Sequence, residues 1–295
     1  MSLRLMRSLM FVPGHNERLL ESASRSKADV LLLDIEDSVQ PVENKQLARN
    51  TVKKWIKDNR FKSFQVYPRI NDRESGHLLK DVHQLSIDGV DGFMYPKAKN
   101  GEDIYFIDKL LETIEYEKGL EIGTFKLIPL IETAAAVLNA QEICKASKRV
   151  VAIAFGCEDF ITDLQGVHDE EHESLFVPRA MIAMAARATN VIPIDTVHIN
   201  VHDLEDLEVN LITAKKLGFE GMLILNPKEL PLAHKYFSPS EEEVKDAYEM
   251  LEMAAEAEKD GKGVAVKNGK FIGPPMVVAA KKVIEKHNLI SKRNE

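Results

Sequence analysis

Acidic and basic residues of this chain gather just past the ends of short apolar runs. The segments are Asp34-Ile35-Glu36-Asp37, Pro68-Arg69-Ile70-Asn71, Pro96-Lys97, Glu132-Thr133 and Gly156-Cys157-Glu158-Asp159. Burying charged groups is costly unless they pair or bind an ion. Glu36, Glu132, Glu158 and Asp159 set against Arg69 and Lys97 suit a hard cation together with an anionic ligand. Two carboxylates, Glu132 and Asp159, are the candidate metal ligands. Oxygen-only ligation selects Mg2+, or Mn2+, with water and substrate completing the shell. The alternative is that both acids favour the starts of the helices that follow them. Arg69, between Pro68 and Ile70, has the planar fork that recognises a substrate carboxylate. Its alternative is a structural ion pair with Glu36 or Asp37. Lys97 either pairs with the acidic groups, contacts substrate, or forms a Schiff base.

Other reactive residues carry less. His198 in an apolar run reads as a satisfied core residue. His168 and His172 have helical spacing, which fits either zinc or, more simply, a solvated acidic loop. Cys157 has no CxxC partner and reads as packing, and neither a GxSxG elbow nor a P-loop occurs.

The elements that must position these groups follow from pattern. Apolar, β-branched runs recur at Ser8–Pro13, Val30–Ile35, Phe64–Ile70, Gly92–Pro96, Lys126–Ile131, Val150–Phe155, Ile192–Ile199 and Met222–Leu225. The seventh is read as carrying His198 and Asn200, and the eighth ends in Asn226-Pro227. Such runs suit a sheet buried on both faces. Helical patterns lie between them: Asn16–Ser26, Val42–Asp58, Gly76–Leu85, Gly101–Glu117, Thr133–Ala146, Pro178–Thr189, Leu204–Leu217 and Pro227–Tyr236. This alternation predicts an α/β fold, a (β/α)8 TIM barrel over residues 1–238, whose functional groups sit at the C-terminal ends of the strands. A doubly wound open sheet is the rival, but Pro13-Gly14-His15-Asn16 is not a GxGxxG turn. Residues 239–295 read as a C-terminal extension that packs on the barrel or on a neighbouring subunit: a helix over Ser240–Asp260, a hairpin turning at Asn268-Gly269, and a helix over Met276–His287.

Composition limits the class of function. Of 295 residues, 44 % are hydrophobic and 29 % charged, which supports a large core. The net charge of −8 and the lack of a basic stripe argue against nucleic acid as a partner. Two cysteines fit a reducing compartment. No apolar run reaches the roughly 18 residues that span a membrane, and Met1–Leu9 has no signal-peptide core. The expectation is a cytoplasmic protein with no membrane partner.

The motifs together resemble one family. Arg7–Gly14, Leu33–Val39, Pro68–Asn71, Tyr95–Lys97, Ile131–Thr133 and Phe155–Phe160 are similar, in order and over nearly the whole barrel, to the citrate lyase β-subunit family. That family lies within the HpcH/HpaI aldolase and malyl-CoA lyase superfamily. The resemblance implies a Mg2+-dependent carbon–carbon lyase acting on a citryl-, malyl- or citramalyl-CoA type of thioester through an enolate. Coenzyme A or acyl-CoA and an oxo acid would be its small-molecule partners, in a homotrimer or hexamer. By family motif Glu132 and Asp159 would bind the metal and Arg69 would hold the carboxylate. Glu36 would act through metal-bound water. Lys97, Gly156 and the backbone at Glu158 and Asp159 would contact substrate. One departure stands out: Gly273 occupies the place of an acid–base Asp common in acyl-CoA members. The departure leaves open a free-acid aldolase, a thioester hydrolase or a non-catalytic subunit.

Overall fold

The computed structural model describes residues 4–168, 173–259, 265–267 and 270–294. Eight parallel strands run β1 (Ser8–Pro13), β2 (Val30–Asp34), β3 (Gln65–Val66), β4 (Gly92–Tyr95), β5 (Lys126–Ile131), β6 (Ala152–Phe155), β7 (Ile192–Asp195) and β8 (Gly221–Ile224). They are ordered β3-β2-β1-β8-β7-β6-β5-β4. The remaining edge is joined by backbone bonds from Asp91 to Val66 (3.0 Å), Met94 to Pro68 (3.0 Å) and Ile70 to Met94 (3.2 Å). The sheet therefore closes on itself as a (β/α)8 barrel.

The strands are buried on both faces, and period-2 alternation decides which side chains point inward. Leu9, Val30, Leu32, Tyr67, Met94, Ile128, Leu130, Ala152, Ala154, Ile194 and Leu223 form one buried cluster. Asp34, Arg69, Glu132 and Gly156 share the parity of Leu32, Tyr67, Leu130 and Ala154 on their own chain segments. They sit one step further along, at the C-terminal mouth. The chemical residues thus continue the hydrophobic stripe of the barrel.

Helices flank the strands: α1 (Glu17–Ser24), α2 (Asn44–Lys57), α3 (Leu78–Leu85), α4 (Gly101–Lys118), α5 (Ala134–Leu138), α6 (Ala140–Lys145), α7 (Cys157–Leu164), α8 (Glu173–Thr189), α9 (Leu204–Leu217) and α10 (Leu230–Phe237). Several differ from the sequence expectation. The third strand shrinks to two residues with an isolated bridge at Arg69, because Pro68 has no N–H for the ladder. The seventh ends at Asp195, so His198 and Asn200 belong to the following loop and not to a strand. The helix expected over Thr133–Ala146 is split at Asn139 into α5 and α6. α8 begins at Glu173 and keeps Pro178 inside it, giving up one backbone bond. α7 is an additional helix whose first turn holds Glu158 and Asp159.

Met6–Ala233 forms one compact unit that contains the barrel. A second unit comprises the chain from His234 onward together with the N-terminal residues up to Leu5. α10 spans the point in the chain where one unit gives way to the other. The second unit holds α11 (Glu241–Lys259), β9 (Ala265–Lys267) paired antiparallel with β10 (Lys270–Ile272), and α12 (Pro274–Asn294). A reciprocal cap starts α11, with Glu243 N donating to Ser240 Oγ at 3.0 Å and Ser240 N to Glu243 Oε2 at 2.8 Å. The turn pair Asn268-Gly269 lies outside the described residues. No described helix is long and apolar enough to cross a membrane.

Candidate active site

Arg69 is the hub of the barrel mouth. Its Nε donates to Asp34 Oδ1 at 2.8 Å and its Nη2 to Asp34 Oδ2 at 2.6 Å. The guanidinium carbon lies 4.7 Å from the centre of the Phe11 ring. A planar fork gripped along one edge and stacked on one face is fixed in orientation. Its Nη1 stands 3.2 Å from Glu36 Oε2 and 3.6 Å from Asp37 Oδ2. Burial alone would raise the Asp34 carboxyl, but Arg69 beside it prevails and holds it below the usual carboxylate range. Asp34 also accepts from the backbone N–H groups of Glu36 (2.9 Å) and Ser38 (3.2 Å), so it shapes the turn after β2. Sequence reasoning offered Glu36 or Asp37 as the ion-pair partner and missed Asp34. The parity of β2 was the available signal, because it aims Asp34 at the barrel axis.

Glu36 and Glu132 are both buried, 3 % and 2 % exposed. Burial pushes Glu36 up to about 7 despite the pull of Arg69. Burial also pushes Glu132 up to about 8, with repulsion from Glu36 and Asp159 adding to it. Lys97 links the two acids. Its Nζ lies 2.9 Å from Glu36 Oε1, and its backbone N donates to Glu132 Oε2 at 2.7 Å. Partial burial works against the Lys97 ammonium, but Glu36 foremost, with Asp37 and Asp72, holds it charged. An ammonium in that state is a poor amine nucleophile, which disfavours the Schiff-base reading.

Glu132 does not cap the helix after it. Thr133 does, accepting from Ala136 N at 3.1 Å, and the Glu132 side chain crosses Gly156 instead. A Cβ at position 156 would lie 2.7 Å from Glu132 Cγ, so the residue beside this acid must be glycine. Gly156 starts α7 without a side-chain cap, and since the Cys157 N–H donates to Thr196 Oγ1 at 3.2 Å, the amides of Glu158 and Asp159 are the ones that face an anion. Glu158 and Asp159 are exposed in that turn.

A cavity of about 590 Å³ opens here. Asp34, Arg69, Glu132, Gly156, Glu158 and Asp159 line its polar side, and Phe11, Leu19, Ala23 and Leu225 its apolar side. The structure therefore brings Arg69, Glu132, Gly156, Glu158 and Asp159 to the lining of one cavity. Glu36 and Lys97 stand behind that lining through their contacts with Arg69 and Glu132.

The remaining candidates fall elsewhere. His198 is buried, with Nε2 3.0 Å from the Asp203 carbonyl. His168 meets Glu158 Oε1 at 3.0 Å, and His172 lies outside the described residues. Burial pushes the Cys157 thiol up to about 12, so it is inert packing. Among the described residues no group of three or more His, Cys, Asp or Glu could hold a metal. A metal here would rest on two carboxylates. Glu132, buried beside Asp159 and Glu36 with its charge opposed by both, has the environment that a hard cation relieves.

Residues 7–227 match the family model described as HpcH/HpaI aldolase/citrate lyase. The chain belongs to this family. It is 34 % identical to the citrate lyase subunit beta of Haemophilus influenzae, over 96 % of this chain and 97 % of that one. It is 30 % identical to the L-malyl-CoA/beta-methylmalyl-CoA lyase of Rhodobacter capsulatus, over 91 % of this chain and 90 % of that one. A crystal structure of a Mycobacterium tuberculosis member with magnesium and acetoacetate is 26 % identical, covers 80 % of this chain and 93 % of its own, and superposes with a TM-score of 0.65. Family membership makes the chain a carbon–carbon lyase.

Proposed function

We propose that this lyase cleaves or forms a carbon–carbon bond in a 2-hydroxy or 3-hydroxy acyl-CoA thioester of the citryl, malyl or citramalyl type, with Mg2+ as cofactor. One observation carries the reading. Glu132 is buried, raised to about 8, and opens with Asp159 and Arg69 onto a single cavity. The relatives support it, since one is named for malyl-CoA and another holds magnesium and acetoacetate.

Glu132 and Asp159 would hold the ion. When bound, Mg2+ supplies Lewis-acid polarisation of the substrate oxygens next to the scissile bond. The chain's own groups do the rest. Arg69, its other edge fixed by Asp34, presents Nη1 to the substrate carboxylate in place of Glu36 and Asp37. The first-turn amides of α7, around Glu158 and Asp159, stabilise the oxygen on which enolate charge develops. Glu36, buried and titrating near neutrality, holds or moves the proton. The apolar side of the cavity, from Phe11 to Leu225, accommodates the thioester arm. Homotrimer or hexamer assembly, with the C-terminal extension on a neighbour, belongs to the same proposal.

The test is turnover of a citryl-, malyl- and citramalyl-CoA panel with Mg2+ or EDTA, together with calorimetric Mg2+ binding. Wild type should turn over at least one thioester only with metal, and Glu132→Gln and Asp159→Asn should lose both readouts while staying folded. Full activity in either variant would refute the site. Gly273 supports a second reading, because this position of the second unit brings no carboxylate. A free-acid aldolase would turn over pyruvate or oxaloacetate adducts and ignore coenzyme A. A non-catalytic subunit would bind Mg2+ and turn over nothing.

A further inference from the structure

Beneath the turn that carries Glu36 lies a charge that the proposed chemistry does not use. Lys45, in the first turn of α2, is 5 % exposed. Its Nζ donates to the carbonyl oxygens of Ile35 at 3.1 Å and Glu36 at 2.5 Å. Neither oxygen depends on it. The Ile35 carbonyl also accepts from Asn71 Nδ2 at 2.9 Å, and the Glu36 carbonyl from Val39 N at 3.1 Å. An ammonium is costly to bury, and a methionine has a similar shape, so backbone satisfaction does not account for the charge.

The surroundings do. Burial pushes Lys45 down, and Glu36, Asp34, Asp81 and Asp37 pull it back up. Those acids are met by Lys45 itself, by Arg49 on Asp81 at 2.7 Å, by Arg69 on Asp34 at 2.6 Å and by Lys97 on Glu36 at 2.9 Å. The same turn is braced from its other side. Asn71, besides holding the Ile35 carbonyl, donates to Asp81 Oδ2 from both its backbone N (2.8 Å) and Nδ2 (2.7 Å). Glu36 is therefore gripped at two ends, its carbonyl from below by Lys45 and its carboxylate from the cavity side by Arg69 and Lys97.

We infer that Lys45 is a positioning residue of the active site: its buried ammonium pins the 35–36 turn and presents the Glu36 carboxylate to Arg69 and Lys97. The inference rests on the role proposed for Glu36, and its test separates the two. Lys45→Met and Glu36→Gln are made singly and together in the full chain. Lys45→Met should fold, and its turnover should fall about 10- to 100-fold, as for residues that orient a site from behind. KM should change less than about threefold. The double variant should be no slower than Glu36→Gln alone, because the two residues act as one unit. Losses that multiply in the double variant would overturn the inference, since Lys45 would then act independently of Glu36. If Lys45→Met does not fold, Lys45→Gln keeps a donor without the charge and enters the same cycle.

A crystal structure of the Lys45 variant decides the matter without activity. Displacement of Glu36 from Arg69 and Lys97 supports the inference, and both contacts unchanged would sink it. A wild type that turns over no substrate would instead count against the proposed reaction.

Discussion

The backbone N–H of Lys97 donates to Glu132 Oε2 at 2.7 Å from a left-handed conformation, φ 55°. A lysine there carries a strain of about 1 kcal/mol that glycine would not. The conformation turns the chain sharply after β4, so one residue serves Glu132 with its backbone and Glu36 with its ammonium. Lys97→Gly should keep the amide bond and lose the ammonium. We expect stability within about 1 kcal/mol of wild type, since relieved strain offsets a half-exposed ion pair. Turnover should nevertheless fall at least tenfold. Denaturant titration and steady-state kinetics on the same preparation would check it, and equal losses in both would contradict it.

Gly156→Ala probes the crossing of Glu132 over Gly156. The added Cβ would sit 2.7 Å from Glu132 Cγ, so the carboxylate must move. Overpacking of this kind costs roughly 1–3 kcal/mol. The displaced ligand should weaken Mg2+ binding about tenfold or more, by calorimetry, in a protein that still unfolds cooperatively.

Asp34→Asn breaks the bidentate grip on Arg69. The two side chains are 2 % and 11 % exposed, so the loss leaves a largely buried guanidinium with only the looser contacts to Glu36 and Asp37. The expected destabilisation is about 3–5 kcal/mol. Arg69 would also lose its fixed edge, so KM for a carboxylate substrate should rise. Urea unfolding and KM measurement on one variant read both effects.

pH should act on the metal-free protein in a defined direction. The folded state raises Glu132 to about 8, and Glu36 and Glu229 to about 7, from the 4.5 of an ordinary glutamate, burial being the main cause in each. Between these values the folded chain binds more protons than the unfolded one. Stability is therefore greatest on the acid side and is lost as pH rises from about 4.5 through 8. Mg2+ competes with the Glu132 proton, so its affinity should rise with pH up to about 8. Thermal unfolding in EDTA from pH 5 to 8.5 should show Tm falling, and Glu132→Gln should flatten the slope. A Tm that climbs over that range would contradict the environment described for Glu132.

Much of this was legible from the chain alone. Near-continuous apolar runs can form strands only in a sheet covered on both faces, and eight of them separated by helical patterns specify the barrel. β1, β5 and α9 match their expected bounds. Boundaries slipped where local chemistry competed with pattern: Pro68 shortened β3, and Asn139 broke one helix into two. His198 lay in an apolar stretch and read as strand, yet its ring is satisfied by a carbonyl five residues on, in a loop.

The order of residues determined that Arg69, Glu132 and Gly156 would follow the strand ends at the mouth, because side chains alternate along a strand and the strands are parallel, whereas Glu158 and Asp159 reach it on the first turn of α7. It could not say which acid Arg69 would take, that Glu132 would lie across Gly156, or that Lys45 would be buried beneath Glu36. Those contacts join residues separated by 9 to 35 positions in the chain. They depend on the closure and register of the barrel, where burial sets which charges must find one another.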